Sequence, residues 1–278
     1  MKQIAVIILL LSLFSGFAFA QTKFSPKIIK QIEDNTPKPL PQTPVATKLT
    51  SDAQDGNLRG KVKTVIEEME IFTEIDIYKG RHFSGISEFD EKGNFTKEVY
   101  FDATGDPYAV TVYGYIDGFR AAKRQTIGDT KTTISLETSQ TETVVKKNTP
   151  DPRYDYKYEY KFTDGKLAEM QMIYNTGEEG MRYVYNYSGN RMEKLAYTDK
   201  GELNQKYLTV FDAKGYEIEW TDFILYEKPV GKEKHIIKNE TLDKQGNWTK
   251  RTYFKVEIKK GKEVLKPARI EYRTITYY

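Results

Sequence analysis

The feature that most constrains this chain is a turn motif that recurs along it. An aromatic or aliphatic residue is followed by Asp, two further residues and Gly, in copies that begin at Phe89, Phe101, Phe211 and Leu242. Aspartate at the first turn position accepts hydrogen bonds from the backbone two residues on, and glycine tolerates the positive φ that the fourth position needs. The motif therefore predicts a type I turn closed by a glycine bulge, a common connection in β-hairpins.

The glycines of these motifs are evenly spaced. Gly93 and Gly105 are 12 residues apart, and variant copies at Tyr160, Tyr174, Tyr185 (with Asn186 for Asp) and Tyr197 extend the series through Gly165, Gly177, Gly189, Gly201 and Gly215 at steps of 12, 12, 12 and 14. Such a period accommodates one turn and one strand, and one turn per strand gives antiparallel neighbours. We predict an all-β fold, an antiparallel meander of short hairpin repeats that forms a curved open sheet or a partly wrapped array.

Apolar and polar residues alternate in several of the intervening segments. From Met69 to Ile77 every second residue is apolar except Thr73, and from Tyr154 to Phe162 every second residue is aromatic. A period of two is typical of a strand with one buried face. Several repeat strands, such as Leu203 to Phe211, carry apolar residues at both parities. A sheet of that kind must curl, stack or be covered, since otherwise it exposes a patch of the sort that marks a contact surface.

The N-terminus and the interruptions of the pattern suggest the domain boundaries. Lys2, an apolar run from Ile4 to Phe14 and the tripeptide Ala18-Phe19-Ala20 have the order of a secretory signal peptide, which predicts cleavage after Ala20. Residues 21–57 are rich in proline and predict a disordered, flexible linker. Residues 58–278 form the predicted β-repeat domain, with a polar insertion at about 117–152. The expected location is the periplasm, the outer envelope or the extracellular space, with no transmembrane span after cleavage.

Composition excludes several kinds of site. The chain has no cysteine, so disulfides, thiolate metal sites and cysteine nucleophiles are excluded. The net charge is +3 with acids and bases interleaved, which gives no basic stripe for nucleic acid. The two histidines, His82 and His235, lack metal-ligand spacing. No phosphate loop, dinucleotide fingerprint or nucleophile elbow occurs. We therefore predict no cofactor, no metal and no catalysis.

Two of the turns carry the resemblance to a known family. The segments Phe89–Asn94 and Leu242–Asn247 resemble the YD repeat, or RHS repeat, and the resemblance extends from about Arg59 to Phe254. In that family the repeats build strips of β-hairpins, some of them long enough to form shells. The core signature that precedes a toxin in those proteins is absent, and Asp151–Tyr154 matches it only superficially. The resemblance implies the hairpin architecture and nothing catalytic.

Aromatic residues are the enrichment that points to a binding surface. The chain has 21 Tyr, 14 Phe and 2 Trp. A tyrosine ring offers an apolar body and a polar tip, so it can stack on a sugar or hold an acyl chain. The alternative is that these rings pack against neighbouring strands. The predicted ligand or partner face consists of Tyr154, Tyr156, Tyr158, Tyr160, Trp220 and Trp248.

Three functions follow from these features, in order of preference. The first is an exported structural or interaction module that binds an envelope protein or a glycan, for which an open Tyr and Trp face is expected. The second is a carrier of lipid or another hydrophobic ligand, which needs a closed cavity lined by aliphatic residues and Phe. The third is an envelope enzyme, which needs buried carboxylates or a histidine with an acidic partner. The unpaired edges of an open array would also favour self-association.

Overall fold

The computed structural model describes residues 24–37, 53, 56–72, 80–102, 104–116, 119–127, 130–138, 141–146, 156–164, 166–174, 176–225 and 231–278. Helix α1 is Pro26–Asn35. The strands are β1 (Val62–Ile71), β2 (Arg81–Phe89), β3 (Phe95–Phe101), β4 (Pro107–Ile116), β5 (Phe119–Ile127), β6 (Thr130–Thr138), β7 (Thr141–Lys146), β8 (Tyr156–Thr163), β9 (Lys166–Tyr174), β10 (Glu179–Ser188), β11 (Arg191–Tyr197), β12 (Leu203–Phe211), β13 (Glu217–Ile224), β14 (Gly231–Leu242), β15 (Trp248–Lys259) and β16 (Lys262–Tyr277).

The strands form one antiparallel sheet in which each pairs with its neighbours in the chain. The predicted all-β meander is therefore confirmed. The wrapping goes further than a sheet with two free edges, because β16 pairs with β1 and the strand order closes as a barrel. Pairs such as Ile66 with Thr274 fix the register of that junction. Closure gives the backbone groups of β1 and β16 partners on both sides.

The four full copies of the turn motif adopt the predicted geometry. In the first, Asp90 Oδ1 accepts hydrogen bonds from the backbone N–H of Lys92 and of Asn94, both at 2.9 Å. Gly93 has a φ of 83°, where a residue with a side chain would be strained. The same arrangement recurs at Asp102, Asp212 and Asp243. A shift of register next to each turn marks the bulge.

Two of the variant copies form a shorter connection than the motif predicts. Asn186 lies inside β10, where its side chain donates a hydrogen bond to Glu193 across the ladder, and only Gly189 and Asn190 link the strands. Thr163 pairs with Lys166, so the copy at Tyr160 is likewise a two-residue loop, and Asp164 there has a φ of 50°. Two-residue loops with positive φ suit the strand twist, which explains why the ladder extends into the motif.

The predicted polar insertion is part of the meander. Strands β5, β6 and β7 lie within residues 117–152 and pair in order between β4 and β8. The segment is polar but rich in threonine, which favours strands because it is β-branched. The segment is predicted as an insertion because of its low apolar content, whereas it continues the sheet in regular order.

Part of the predicted flexible linker is also folded. The side chain of Ser25 accepts a hydrogen bond from the backbone N–H of Ile28 and caps α1, with proline in the first turn. Phe24 and Ile32 are each only 5% exposed because they pack on the sheet. The apolar spacing of this segment fits one helical face, and its burial outweighs the proline content. The predicted signal peptide lies outside the described residues. No helix in the described part of the chain is long and apolar enough to cross a membrane.

The two faces of the sheet are distinguished by their residues. Ile66 pairs with Ile86, which pairs with Val99 and then Val110, so these side chains share the surface that α1 covers. We call it the helix face. Alternate residues, such as Glu67, point to the opposite surface. We call that surface the aromatic face because of the side chains described below.

The chain crosses one rim of the barrel before it enters β1. Ala53 N–H donates to the carbonyl oxygen of Gly93 at 2.8 Å, and Asn57 Nδ2 donates to that of Gly215 at 2.7 Å. Arg59 N–H donates to Oδ1 of Asn247 at 2.7 Å. These contacts join three hairpin turns that are distant in sequence and so hold them together at that rim.

Candidate functional site

The residues predicted as a binding face lie on one surface where the structure describes them. Tyr154 lies outside the described residues, and of Tyr156 only the backbone, in β8, is described. Tyr158 and Tyr160 are half-buried in β8, with ring centroids 6.3 Å apart. Directly paired residues share a face, and the register leads from Tyr160 through β9 to β12 onto Trp220. The register of the sheet thus places Tyr158, Tyr160 and Trp220 on the aromatic face.

Neighbouring strands add further rings and methionines to β8. We call this surface the tyrosine patch; it is formed by the aromatic-face residues of β8 to β12, namely Tyr158, Tyr160, Lys166, Met170, Met172, Tyr174, Tyr183, Tyr185, Tyr187, Met192, Lys194 and Tyr207. Tyr187 is 41% exposed, and the other tyrosines of the patch are half-buried. Burial, together with the neighbouring Tyr187 and Tyr183, raises the pKa of Tyr185. Tyr185 therefore contributes ring surface and a neutral hydroxyl to the patch at ordinary pH.

Two lysines lie within the patch and contact its rings. Lys194 Nζ is 4.4 Å from the ring centroid of Tyr183 and 5.2 Å from that of Tyr207. Lys166 Nζ is 5.0 Å from the ring centroid of Tyr187. A cation over a ring face is attracted by the ring quadrupole. Burial lowers the pKa of Lys194, because its ammonium group is partly withdrawn from water without an opposite charge.

The helix face of the same strands carries balanced charges. Lys161 Nζ lies 2.7 Å from a carboxylate oxygen of Glu169, and Arg182 lies 3.8 Å from the other. Lys206 pairs with Glu193 in the same manner. These strands also line a hollow of about 370 Å³ on the helix face, next to the turn at Thr198. In this part of the sheet, the helix face pairs its cations with carboxylates, whereas Lys194 on the aromatic face contacts rings.

Trp220 lies beside the patch on β13 and is stacked on a histidine. The ring centroids of Trp220 and His235 are 4.0 Å apart, and the rings are within 8° of parallel. Burial lowers the pKa of His235, although Glu233, whose carboxylate is 3.6 Å from Nε2, acts in the opposite direction. A half-buried Trp220 with one ring face occupied leaves the other face and the ring edge for contacts. His235 is thus a packing partner of a predicted site residue.

A cavity of about 320 Å³ opens on the aromatic face at some distance along the sheet. We call it the arginine cavity. It is lined by residues of five consecutive strands, β15, β16, β1, β2 and β3. They are Glu67, Glu68, Met69, Ser84, Gly85, Ile86, Ser87, Glu98, Val99, Tyr100, Trp248, Arg251, Glu271 and Arg273.

Ion pairs and one indole ring organise this cavity. Arg273 pairs with Glu67 at 2.8 Å, and Arg251 pairs with Glu271 at 2.6 Å. Trp248 lies between the two guanidinium groups, with the Cζ of Arg273 at 3.7 Å and that of Arg251 at 4.0 Å from its ring centroid. Trp248 is only 4% exposed, so the arginines cover the ring that the sequence placed among the binding residues. Burial lowers the pKa of Arg273, against the effect of Glu67.

The sequence did not single out the charged residues of the two regions. Glu67 and Arg273 are 206 positions apart and meet only because β1 pairs with β16. In β11, Lys194 stands at a position where alternation predicts an apolar residue. This departure is the sequence signal that could have identified Lys194 as a functional residue. Within the described residues there is no group of three or more His, Asp and Glu that could hold a metal ion.

Comparisons with known proteins concern the fold. A porin-like protein from Bacteroides uniformis superposes with a TM-score of 0.55 at 13% identity, over 78% of this chain and 99% of that one. A protein of unknown function from Bacteroides fragilis superposes with a TM-score of 0.30 at 14% identity, over 43% of this chain and 90% of that one. No family model and no curated protein matches the chain. The first likeness shows a shared all-β architecture, and no match supports the YD-repeat resemblance.

Proposed function

We propose that the protein is an exported, non-catalytic module of the cell envelope that binds a glycan chain at the tyrosine patch. The observation that carries the proposal is the patch itself, a continuous set of half-buried rings on adjacent strands. Sugar rings present C–H faces that stack on aromatic side chains, while their hydroxyls bond to polar tips. A row of tyrosines supplies both kinds of contact along an extended ligand.

Strand spacing supports an extended ligand. Adjacent strands lie about 4.8 Å apart, and alternate residues of a strand about 6.7 Å apart. Rings from β8, β9 and β10 are therefore distributed at intervals close to the dimensions of a sugar unit. A β-sheet is also rigid, so the rings are held in place before a ligand arrives, which lowers the entropic cost of binding.

The second function considered, a carrier of hydrophobic ligands, has less support. The lining of the cavity on the aromatic face includes a few apolar residues such as Ile86 and Val99, but it also includes the ion pairs of Arg273 with Glu67 and of Arg251 with Glu271. Burying an acyl chain against such groups would remove water from charges without replacing their hydration. The enzyme hypothesis requires buried carboxylates or a histidine with an acidic partner. His235 and Glu233 are such a pair, but His235 is stacked on Trp220 and Glu233 is also paired with Lys255. Glu67 and Glu271 are held by arginines.

The proposed location rests on the signal-like N-terminus and on the porin-like fold. The YD-repeat resemblance fits the same proposal, since its contribution is the hairpin scaffold on which the rings are displayed.

The test is affinity electrophoresis of residues 21–278 through gels that contain envelope or plant-type polysaccharides. Retardation by at least one polysaccharide is expected. The double variant Tyr158→Ala/Tyr160→Ala should reduce the affinity about thirtyfold, because ring-stacking contacts contribute about 1 kcal/mol each and therefore about 2 kcal/mol together. Phe223→Ala is the matched control, since it removes a half-buried ring from the helix face. Retardation by no polysaccharide, or an equal loss in both variants, would refute glycan binding at this patch.

A further inference from the structure

The tyrosine patch carries charge of one sign only. In the described parts of β9, β10 and β11, the charged side chains at aromatic-face positions are Lys166 and Lys194. The acids of these strands, such as Glu169 and Glu193, are at helix-face positions, where they pair with cations. Among the described side chains, the next carboxylate beyond Lys194 and Tyr207 along the aromatic face is that of Asp222 on β13, and its Oδ2 accepts a hydrogen bond from Gln205 at 2.8 Å. At the opposite border of the patch, Glu142 on β7 takes the position across the ladder from Tyr158.

Lys194 is held in place without a carboxylate. In the ladder it stands directly between Tyr185 on β10 and Tyr207 on β12. Its ammonium group contacts ring faces on both sides, those of Tyr183 and Tyr207. Ring faces attract the charge but accept few hydrogen bonds, so N–H donors of the ammonium remain available. The fold thus keeps a partly desolvated cation without an anion.

From this charge pattern we propose that the ligand of the tyrosine patch is an acidic glycan, whose carboxylate or sulfate groups are bound by Lys194 and, at the edge of the patch, by Lys166. The inference rests on the proposed glycan-binding function and adds the chemical class of the sugar. Sugar rings stack on the tyrosines, and each negative group replaces water at an ammonium that the protein has already partly desolvated. The bond formed is charge-assisted and stronger than one between neutral groups.

Balanced charge elsewhere in the barrel strengthens this assignment. The arginines of the arginine cavity are already neutralised by Glu67 and Glu271, so an anion that entered there would compete with carboxylates. Lys161 and Lys206 of the helix face are paired with Glu169 and Glu193 in the same way. An anion at Lys194 would not have to compete with such a carboxylate.

The experiment compares two polysaccharide probes on the purified mature chain, residues 21–278. Sodium polygalacturonate is the acidic probe, and galactan of matched length is the neutral one; affinity is measured by calorimetry at low and high salt. Polygalacturonate should bind about tenfold more tightly at low salt, and the preference should decrease as salt screens the charges. Lys194→Met should remove most of this preference for the acidic probe, and Lys194→Arg should restore it.

Lys238→Met is the matched control. Lys238 also lies over a ring, with Nζ 4.9 Å from the centroid of Phe254, but it is exposed and on the helix face. Loss of the preference for polygalacturonate in Lys194→Met but not in Lys238→Met supports the assignment of an acidic glycan. Equal binding of both probes, or an equal effect of the two lysine variants, overturns the acidic assignment while glycan binding stands. Binding of neither probe, or binding to lipid vesicles instead, overturns both proposals.

Discussion

The arginine cavity and the tyrosine patch occupy the same face of one barrel, and they treat charge in opposite ways. In the cavity, the guanidinium groups of Arg251 and Arg273 each meet a carboxylate within 2.8 Å. In the patch, the ammonium group of Lys194 meets only rings. Both regions combine cations with aromatic side chains, so their difference does not come from residue type alone.

The difference comes from which residues stand opposite one another in the ladder. Arg273 is directly paired with Glu67, and Arg251 with Glu271, so each cation has an acid as its cross-strand neighbour. Lys194 has a tyrosine on either side. Cross-strand pairs are the contacts that determine the stability of a sheet. One barrel wall therefore contains a region stabilised by ion pairs and a region with a cation free to bind a ligand.

The strongest test of the comparison is Arg273→Gln. This change leaves the carboxylate of Glu67 without its partner and uncovers one face of Trp248. Removing one member of a buried pair costs about 3–5 kcal/mol. The side chain of Glu67 is 37% exposed, so solvent screens part of that cost and about 2 kcal/mol is expected. Thermal unfolding should show a Tm lower by about 4–8 °C.

Two further variants assign that loss to the ion pair. Glu67→Gln in the Arg273→Gln background should recover part of the lost stability, because the uncompensated charge is removed. Lys161→Gln breaks the pair with Glu169 on an exposed part of the helix face, where the lysine side chain is 71% exposed, and should change Tm by less than about 2 °C. Equal losses for Arg273→Gln and Lys161→Gln would contradict a special role for pairing in the cavity.

The sequence predicted the turns and the meander because both depend on local chemistry. Asp90 and Gly93 lie three residues apart, and their roles follow from side-chain bonding and from φ alone. Closure of the barrel depends on the pairing of β1 with β16, which are at opposite ends of the described domain. A short local motif carries no information about that long-range pairing.

The candidate site could be predicted only in part for the same reason. Alternation placed Tyr158 and Tyr160 on one face, and the structure agrees, since a strand fixes the face of every second residue. Lys194 and Tyr207 are neighbours only through the register of β11 and β12. The sequence predicts Trp248 as part of the ligand or partner face because its sequence neighbourhood does not reveal that Arg273, from another strand, covers it.

Glu217 is a largely buried acid that interacts electrostatically with Arg251 and Glu271 of the cavity. Burial raises the pKa of Glu217, with Arg251 opposing and Glu271 adding to the effect. An acid whose pKa is higher in the folded than in the unfolded state binds more protons when folded, so stability decreases as pH rises from its ordinary value of 4.5 through the folded value. Glu217→Gln should remove this decrease and raise Tm by about 2 °C at pH 7 relative to the native chain. A difference in Tm that stays constant from pH 4 to pH 8 would contradict the assignment.

The smallest expected change in Tm is an increase, whereas Arg273→Gln is expected to lower Tm. Because burial lowers the pKa of Lys194, its charged form is less favourable in the folded than in the unfolded chain. Lys194→Met should therefore raise Tm by about 1–2 °C at pH 7, a modest value since the group is half-exposed and screened. For the native chain the same linkage makes stability increase as pH rises toward the ordinary lysine pKa of 10.5.

Lys238→Met, on the exposed helix face, should leave Tm unchanged. If Lys194→Met instead lowered Tm as Arg273→Gln does, Lys194 would be a structural cation, and the contrast between the two regions would fail.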